Sequence, residues 1–151
     1  MTTTATRTLT LLRVVLLAHG VITLAGAVVL AVFPTVIPAA VGITLEPSDY
    51  LLVYLVAAAE LAAAVLSFGA ARLTDRAALR IVVATFVILH GASGLLNLLY
   101  ITQTGWSAVL VANTCARLIA VVVLLIAGQV SLRHYIPESA TNAFTSPASG
   151  Q

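Results

Sequence analysis

The chain has 151 residues, of which 61% are hydrophobic and only 8% are charged. A soluble domain ordinarily carries about 25% charged residues. The composition therefore excludes a soluble globular domain, because so much apolar surface cannot be hidden from water. The formal net charge of +2 comes from scattered arginines and excludes a nucleic-acid-binding surface. The lipid bilayer is the solvent that this composition fits.

Four apolar runs are long enough to cross a bilayer, whose hydrocarbon core of about 30 Å requires about 20 residues of helix. They cover residues 9–33, 50–71, 77–100 and 107–132. The first run exceeds the roughly 7–15 residues of a signal-peptide apolar region, so we expect a retained helix. The sequence predicts an all-α, integral membrane, up-and-down four-helix bundle that forms one domain, residues 9–136.

The segments outside this domain have little to bury. Residues 1–8 and 137–151 are rich in Thr, Ser and Ala, which predicts disordered tails. The short turn RLTDR makes the second and third helices antiparallel neighbours. The connection between the first two helices is broken by prolines and a glycine. Its apolar piece, residues 37–45, is expected at the membrane interface.

The arginines mark one side of the membrane. They lie near the start of the first run, around the turn between the second and third runs, and after the fourth run: Arg7, Arg13, Arg72, Arg76, Arg80 and Arg133. The other two connections contain no Arg or Lys. By the positive-inside rule, we expect a multi-pass cell-membrane protein with both termini in the cytoplasm.

Each apolar run carries one ionisable side chain near its middle, and these are His19, Glu60, His90 and Arg117. Each lies about 10 residues from one end of its span, roughly 15 Å at the helical rise. We therefore expect the four groups at a common height. A charged side chain at the bilayer centre costs at least about 2.5–3.5 kcal/mol, so they should turn inward, with Glu60 and Arg117 as a buried ion pair.

The two histidines occupy similar surroundings, LAHGVITLAG at 17–26 and ILHGASGLLN at 88–97. In each helix, polar or small residues recur at i, i+4 and i+7 on one face: His19, Thr23 and Gly26, and His90, Gly94 and Asn97. An internal duplication would explain this echo. The two halves share little else, so an unrelated origin stays open.

Polar and aromatic side chains continue from this layer towards the two connections without basic residues. They are Thr23, Tyr54, Ser93, Asn97, Trp106 and Asn113. Towards the cytoplasm, the same helix faces are mainly apolar. We expect these side chains to form a polar path through the bundle, with a ligand-binding mouth between Tyr100, Trp106 and residues 37–45. An outer aromatic belt is the alternative role of Tyr54 and Trp106.

Three classes of function fit the ionisable layer. In the first, the protein binds or transforms a lipophilic molecule such as a quinone, sterol or terpenoid. The histidines and Glu60 are then acid and base, and Arg117 stabilises negative charge. In the second, the protein is an accessory or scaffold subunit of a membrane complex, and the polar layer fixes helix register. In the third, His19 and His90 ligate a b-type haem.

Other chemistry finds little support in the sequence. It has no phosphate-binding loop, no nucleophile elbow and no metal-ligand spacing. Haem is the only cofactor that the sequence suggests. Cys115 is the single cysteine, which excludes an intramolecular disulfide. A proton-coupled carrier is disfavoured because no pair of broken helices marks a transport site. Whether the protein is an enzyme stays open.

One segment carries a family resemblance: AAAELAAAVLSFGAARLTDRAALRIVV, residues 57–83. With the length and four-span layout, it resembles the small bacterial DoxX-like membrane proteins. These commonly have an acidic residue in the second helix, then small residues, a glycine and a basic turn, matched by Glu60, Gly69 and residues 72–76. Alanines stand where a glycine pair often follows the acid. The resemblance implies a four-helix membrane fold and a link to quinone-coupled or redox complexes.

Overall fold

The computed structural model describes residues 3–132, with side chains from residue 9. Its helices are α1 (Thr3–Val32), α2 (Val36–Ala40), α3 (Tyr50–Ala70), α4 (Arg76–Thr104) and α5 (Ala108–Leu132). A 3-10 turn at Pro47–Asp49 leads into α3. The described part contains no strand, so the prediction of an all-α fold with four long helices is confirmed.

The helix ends differ from the predicted spans in two places. Helix α1 begins at Thr3, inside the segment 1–8 predicted as a tail. Helix α4 continues past residue 100 to Thr104, where Gly105 at φ +98° ends it in a conformation that glycine adopts without strain. The predicted end of the domain, 133–136, and the predicted tail 137–151 lie outside the described residues.

The turn between α3 and α4 is closed by a helix cap. The side chain of Asp75 accepts a hydrogen bond from the backbone N–H of Ala77 at 2.8 Å, which satisfies a donor of the first turn of α4. Residues 71–75 therefore reverse the chain tightly. The end of the bundle that contains them is called the turn end. The opposite end, with residues 33–49 and 105–107, is called the loop end.

The four long helices pack as a bundle in which each helix has two neighbours. Helix α1 packs closely along α3, and α4 packs closely along α5. Contacts of α1 with α5, and looser contacts of α3 with α4, complete the ring. Helices α1 and α4 therefore lie on a diagonal and, since the chain reverses between successive long helices, run parallel.

The outside of the bundle is apolar. Four helical segments are long and apolar enough to cross a membrane, namely Leu9–Val32, Pro47–Ala70, Arg76–Thr104 and Ala108–Leu132. Large aliphatic side chains such as Ile22, Ile88 and Leu95 are about two-thirds exposed. This surface fits a lipid environment. Within the bilayer core, a helix is one of the few structures that satisfy every backbone polar group. The protein is a multi-pass membrane protein by length and composition.

Inward-facing residues recur every three or four positions and form one stripe on each helix. The stripes are Leu12, Leu16, His19, Thr23, Ala27 and Leu30; Val53, Ala57, Ala64, Ser67 and Ala71; Leu79, Val83, Phe86, His90, Gly94 and Ile101; and Leu110, Thr114, Leu124, Gly128 and Ser131. The turn end holds the main apolar core, around Leu16, Phe86 and Leu124. Polar residues follow on the loop-end side.

Candidate functional site

The centre of the site is a direct contact between two histidines. His19 Nε2 on α1 lies 2.7 Å from His90 Nε2 on α4, so a hydrogen bond crosses the diagonal of the bundle. Both side chains are only 8% exposed. The two histidines therefore share one height, as their similar distances from the span ends predict.

Ser67 on α3 is the third member of this group, and the sequence analysis did not single it out. Its Oγ lies 2.7 Å from His19 Nδ1, and its hydroxyl donates to the backbone carbonyl of Ala63 at 2.8 Å. The side chain is fully buried. Its position contained a signal, since it follows Glu60 by seven residues and so lies on the same helical face.

The hydrogen bonds run in one direction. Ser67 has one hydroxyl hydrogen, which goes to Ala63, so its oxygen accepts from His19 Nδ1–H. In a neutral His19, the other nitrogen Nε2 must then accept, and His90 Nε2–H is its donor. His90 Nδ1 is left as a bare acceptor. This atom is buried and has no hydrogen-bond partner among the described residues.

An aromatic ring supports the pair from the turn end. The ring of Phe86 lies 4.4 Å from that of His19, centroid to centroid, with 40° between the planes. Phe86 belongs to the main apolar core, so the interior on this side of the histidines is hydrocarbon. The next polar side chains along α4, Ser93 and Asn97, lie on the other side of His90, towards the loop end.

Arg117 lies about one turn from His90 in that direction. A Cβ placed on Gly94 would lie 3.8 Å from Arg117 Cβ, so the backbones of these residues are at one level. Gly94 follows His90 by four residues, or about 6 Å of helix. Arg117 is half-buried, and its Nε is buried without a hydrogen-bond partner among the described residues.

Glu60 is further from the histidines than predicted. It precedes Ser67, the α3 residue that contacts His19, by two turns or about 10 Å of helix. With Arg117 also displaced, the prediction of one height for all four ionisable groups is wrong. Heights counted from the span ends assume that all helices start in one plane, whereas side-chain packing sets their actual register.

The predicted ion pair is also not formed as a direct contact. Glu60 and Arg117 are near enough for their opposite charges to attract, whereas Arg117 would repel a protonated His90. Within residues 3–132, however, no contact of 4.0 Å or less joins the carboxylate to the guanidinium. Arg117 therefore lies between two polar groups without closing a bond to either.

The amide side chain of Asn97 extends the polar region towards the loop end. Asn97 lies seven residues beyond His90 on α4, and its Nδ2 is buried without a partner in the described part of the chain. We call His90, Arg117 and Asn97 the polar column. A buried polar atom without a hydrogen bond costs about 1–3 kcal/mol. Such atoms ordinarily have a partner, and water or a ligand is the natural one here.

Several residues predicted to bind a ligand face elsewhere. Tyr54 and Asn113 are exposed, and Trp106 is 86% exposed. In a membrane-spanning bundle these side chains face lipid, the interface or a partner, because the inward stripes are on other helix faces. Tyr54 packs edge-on against Tyr50, with ring centroids 6.4 Å apart, which fits the aromatic-belt alternative.

The remaining predicted contacts have mixed positions. Thr23 is buried, but its hydroxyl donates to the backbone carbonyl of His19 at 2.9 Å, in its own helix. Ser93 is half-buried. In the predicted mouth, Trp106 points outward, and Leu45 packs against the cluster of Leu30, Val53 and Ala57. That mouth is therefore not formed as predicted.

Two cavities of the described part lie at the turn end. One, of about 410 Å³, is an open apolar groove between α4 and α5, with Arg80 and Gln129 on its walls. The other, of about 440 Å³, is formed by residues 74–77 and Arg80. Neither is lined by a residue of the polar column.

Metal and haem ligation each place geometric demands on these side chains. Within the described residues, no group of three His, Cys, Asp or Glu side chains could hold a metal ion. Haem ligation by both histidines would place an iron between two metal–nitrogen bonds of about 2 Å, and so about 4 Å between the nitrogens. The observed separation is 2.7 Å, and the rings bond to each other. The arrangement does not fit a haem.

No protein-family model, curated protein or solved structure matches the chain. Fold and site together define a class of protein: a multi-pass membrane four-helix bundle with a hydrogen-bonded histidine pair in its interior. The resemblance to DoxX-like proteins stays a prediction.

Proposed function

We propose that the protein binds a lipophilic small molecule inside the bundle, with the polar end of that molecule in the polar column. The observation that carries this proposal is that three buried atoms of the column, His90 Nδ1, Arg117 Nε and Asn97 Nδ2, have no hydrogen-bond partner within residues 9–132. Bundle interiors with a few convergent polar groups are common ligand sites. An apolar exterior places the bundle in the bilayer, the solvent in which such a ligand dissolves.

The column's chemistry suits an oxygen-bearing end group. Arg117 and Asn97 offer N–H donors to a carbonyl or hydroxyl oxygen, as in a quinone, a sterol or a terpenoid. If the ligand is transformed, His90 is placed to act as general base and Arg117 to stabilise developing negative charge. A place among the DoxX-like proteins, with their link to redox complexes, is part of the same proposal.

The second candidate is an accessory subunit of a membrane complex. Helix α5 is the least buried of the four long helices, and Asn113 is exposed in its second turn. A polar side chain facing hydrocarbon is costly, and a partner helix would satisfy it. A second copy of the chain is one such partner.

Mass spectrometry of the intact protein in a mild detergent tests the proposal. We expect the wild-type chain to retain a small lipophilic molecule. Asn97→Leu should lose it, because the substitution removes a donor of the column. Asn113→Leu is the matched control, since it makes the same change at an exposed site, and it should keep the molecule.

The same experiment separates the two candidates. Equal retention by both variants, or no retained molecule in the folded wild-type protein, would exclude the column as a binding site. If Asn113→Leu instead changes the oligomeric mass of the complex, the subunit function is favoured.

A further inference from the structure

We infer that the polar column selects a lipophilic alcohol, whose hydroxyl hydrogen is donated to His90 Nδ1 and whose oxygen accepts from Arg117. This inference rests on the proposed function and adds the chemical class of the ligand. It follows from the direction of the hydrogen bonds that begin at Ser67.

Two arrangements of neutral histidines would preserve the contact between the rings. In the first, His90 donates to His19, His19 donates to Ser67, and Ser67 donates to Ala63. Every one of the three observed contacts, at 2.7, 2.7 and 2.8 Å, is then a hydrogen bond. In the reverse arrangement Ser67 donates to His19 and the bond to Ala63 is lost. The first arrangement is favoured because a lost hydrogen bond in the interior is not replaced by water.

The favoured arrangement fixes what the column can bind. His90 Nδ1 carries no hydrogen, so it pairs only with a donor. Arg117 Nε and Asn97 Nδ2 are donors, so they pair only with an acceptor. A hydroxyl group pairs with both His90 Nδ1 and Arg117 Nε through one oxygen, whereas an ether oxygen leaves His90 Nδ1 unpaired. Asn97, two turns from His90, is available to a second oxygen of the ligand. Ser67 is the positioning residue, since it orients His19 without lying in the column.

A pair of matched probes tests the selection. Farnesol and farnesyl methyl ether differ by one methyl group on the oxygen, and their binding to the full chain in detergent can be measured by calorimetry. We expect farnesol to bind about tenfold more tightly, which corresponds to one buried acceptor satisfied in one complex and not in the other.

A remote variant connects the preference to the hydrogen-bond direction. Ser67→Ala removes the group that holds His19 in one tautomer, and should reduce the farnesol preference severalfold. Thr85→Val is the control: Thr85 is exposed, and its hydroxyl donates only to its own helix, at Ile81. It should keep the full preference.

Nitrogen-15 NMR gives a readout that needs no ligand. The chain has three histidines, so His134→Gln leaves only the pair. In lipid bilayers, we expect His90 to be protonated at Nε2 and bare at Nδ1. A protonated Nδ1 would overturn the inference. Equal binding of both probes, or binding of neither, would overturn it as well. The proposed function is decided separately, by whether the wild-type chain retains a lipophilic molecule in the mass spectrum.

Discussion

His19 and His90 depend on each other at the scale of single residues. Each ring provides a hydrogen-bond partner for a buried nitrogen of the other, because both side chains lie in the interior and bond through their Nε2 atoms. Removing one partner leaves the full desolvation cost of the other. The pair should therefore behave as one unit in the free energy of unfolding.

A double-mutant cycle tests this dependence. We expect His19→Leu and His90→Leu each to lower the free energy of unfolding by about 1–3 kcal/mol. The double variant should lose clearly less than the sum, since no unpaired imidazole remains. Denaturant unfolding in detergent micelles measures all three. Ile88→Leu, at an exposed aliphatic position, is the control and should have little effect. Strictly additive losses would mean that the two rings do not interact.

The sequence predicted part of this site. Two histidines at similar depth, on helices of parallel direction, indicated a meeting point, and the structure joins them. Ser67 was missed although its spacing from Glu60 places it on the same helical face, because a lone serine in an alanine-rich helix gives no compositional signal. Its role depends on which helix faces α1, and that is decided by packing between helices rather than within one.

At the scale of helices, α1 and α3 approach closely where Gly20 meets Phe68. A Cβ on Gly20 would lie 2.7 Å from Phe68 Cε1, closer than two carbons can pack. Small residues allow such approaches in membrane bundles. This contact is next to His19, so it also sets the distance over which His19 reaches Ser67.

Glycine substitutions in α1 test the close approach. Gly20→Ala should lower the free energy of unfolding by about 1 kcal/mol or more, because the Phe68 ring must move. Gly26→Ala is the matched control, since nothing lies within 4 Å of its added Cβ, and alanine favours the helix. The control should be neutral or stabilising. Denaturant unfolding in detergent micelles measures both variants.

A second substitution separates crowding from a backbone effect. Phe68→Leu removes the ring that the added Cβ meets, so Gly20→Ala should cost less in that background. If the cost is unchanged, the close contact is not its cause.

Helix existence and helix register differ in how far the sequence determines them. Runs of about 20 apolar residues required helices, and all four long helices are present. The register between helices comes from contacts such as Gly94 with Arg117 and Gly20 with Phe68. Residue counts from the span ends contain no information on these contacts. Glu60 was therefore predicted level with the histidines, although it lies two turns from Ser67.

At the scale of the whole molecule, the arginine distribution predicts the orientation in the membrane. We propose that the turn end faces the cytoplasm, because Arg72, Arg76 and Arg80 lie there. A single cysteine at Ser48 or at Thr74, in a Cys115→Ser background, reports the side. In intact cells, a membrane-impermeant thiol reagent should label Ser48→Cys and not Thr74→Cys. The opposite pattern would reverse the orientation.

The contact between the two histidines joins helices α1 and α4 across the interior of the bundle. Nitrogen–nitrogen correlation NMR in lipid bilayers tests that contact most directly. In the His134→Gln variant with labelled histidine, the account predicts a strong correlation between the Nε2 atoms of His19 and His90, which are 2.7 Å apart. Two uncorrelated rings, each with the spectrum of a histidine in water, would contradict it.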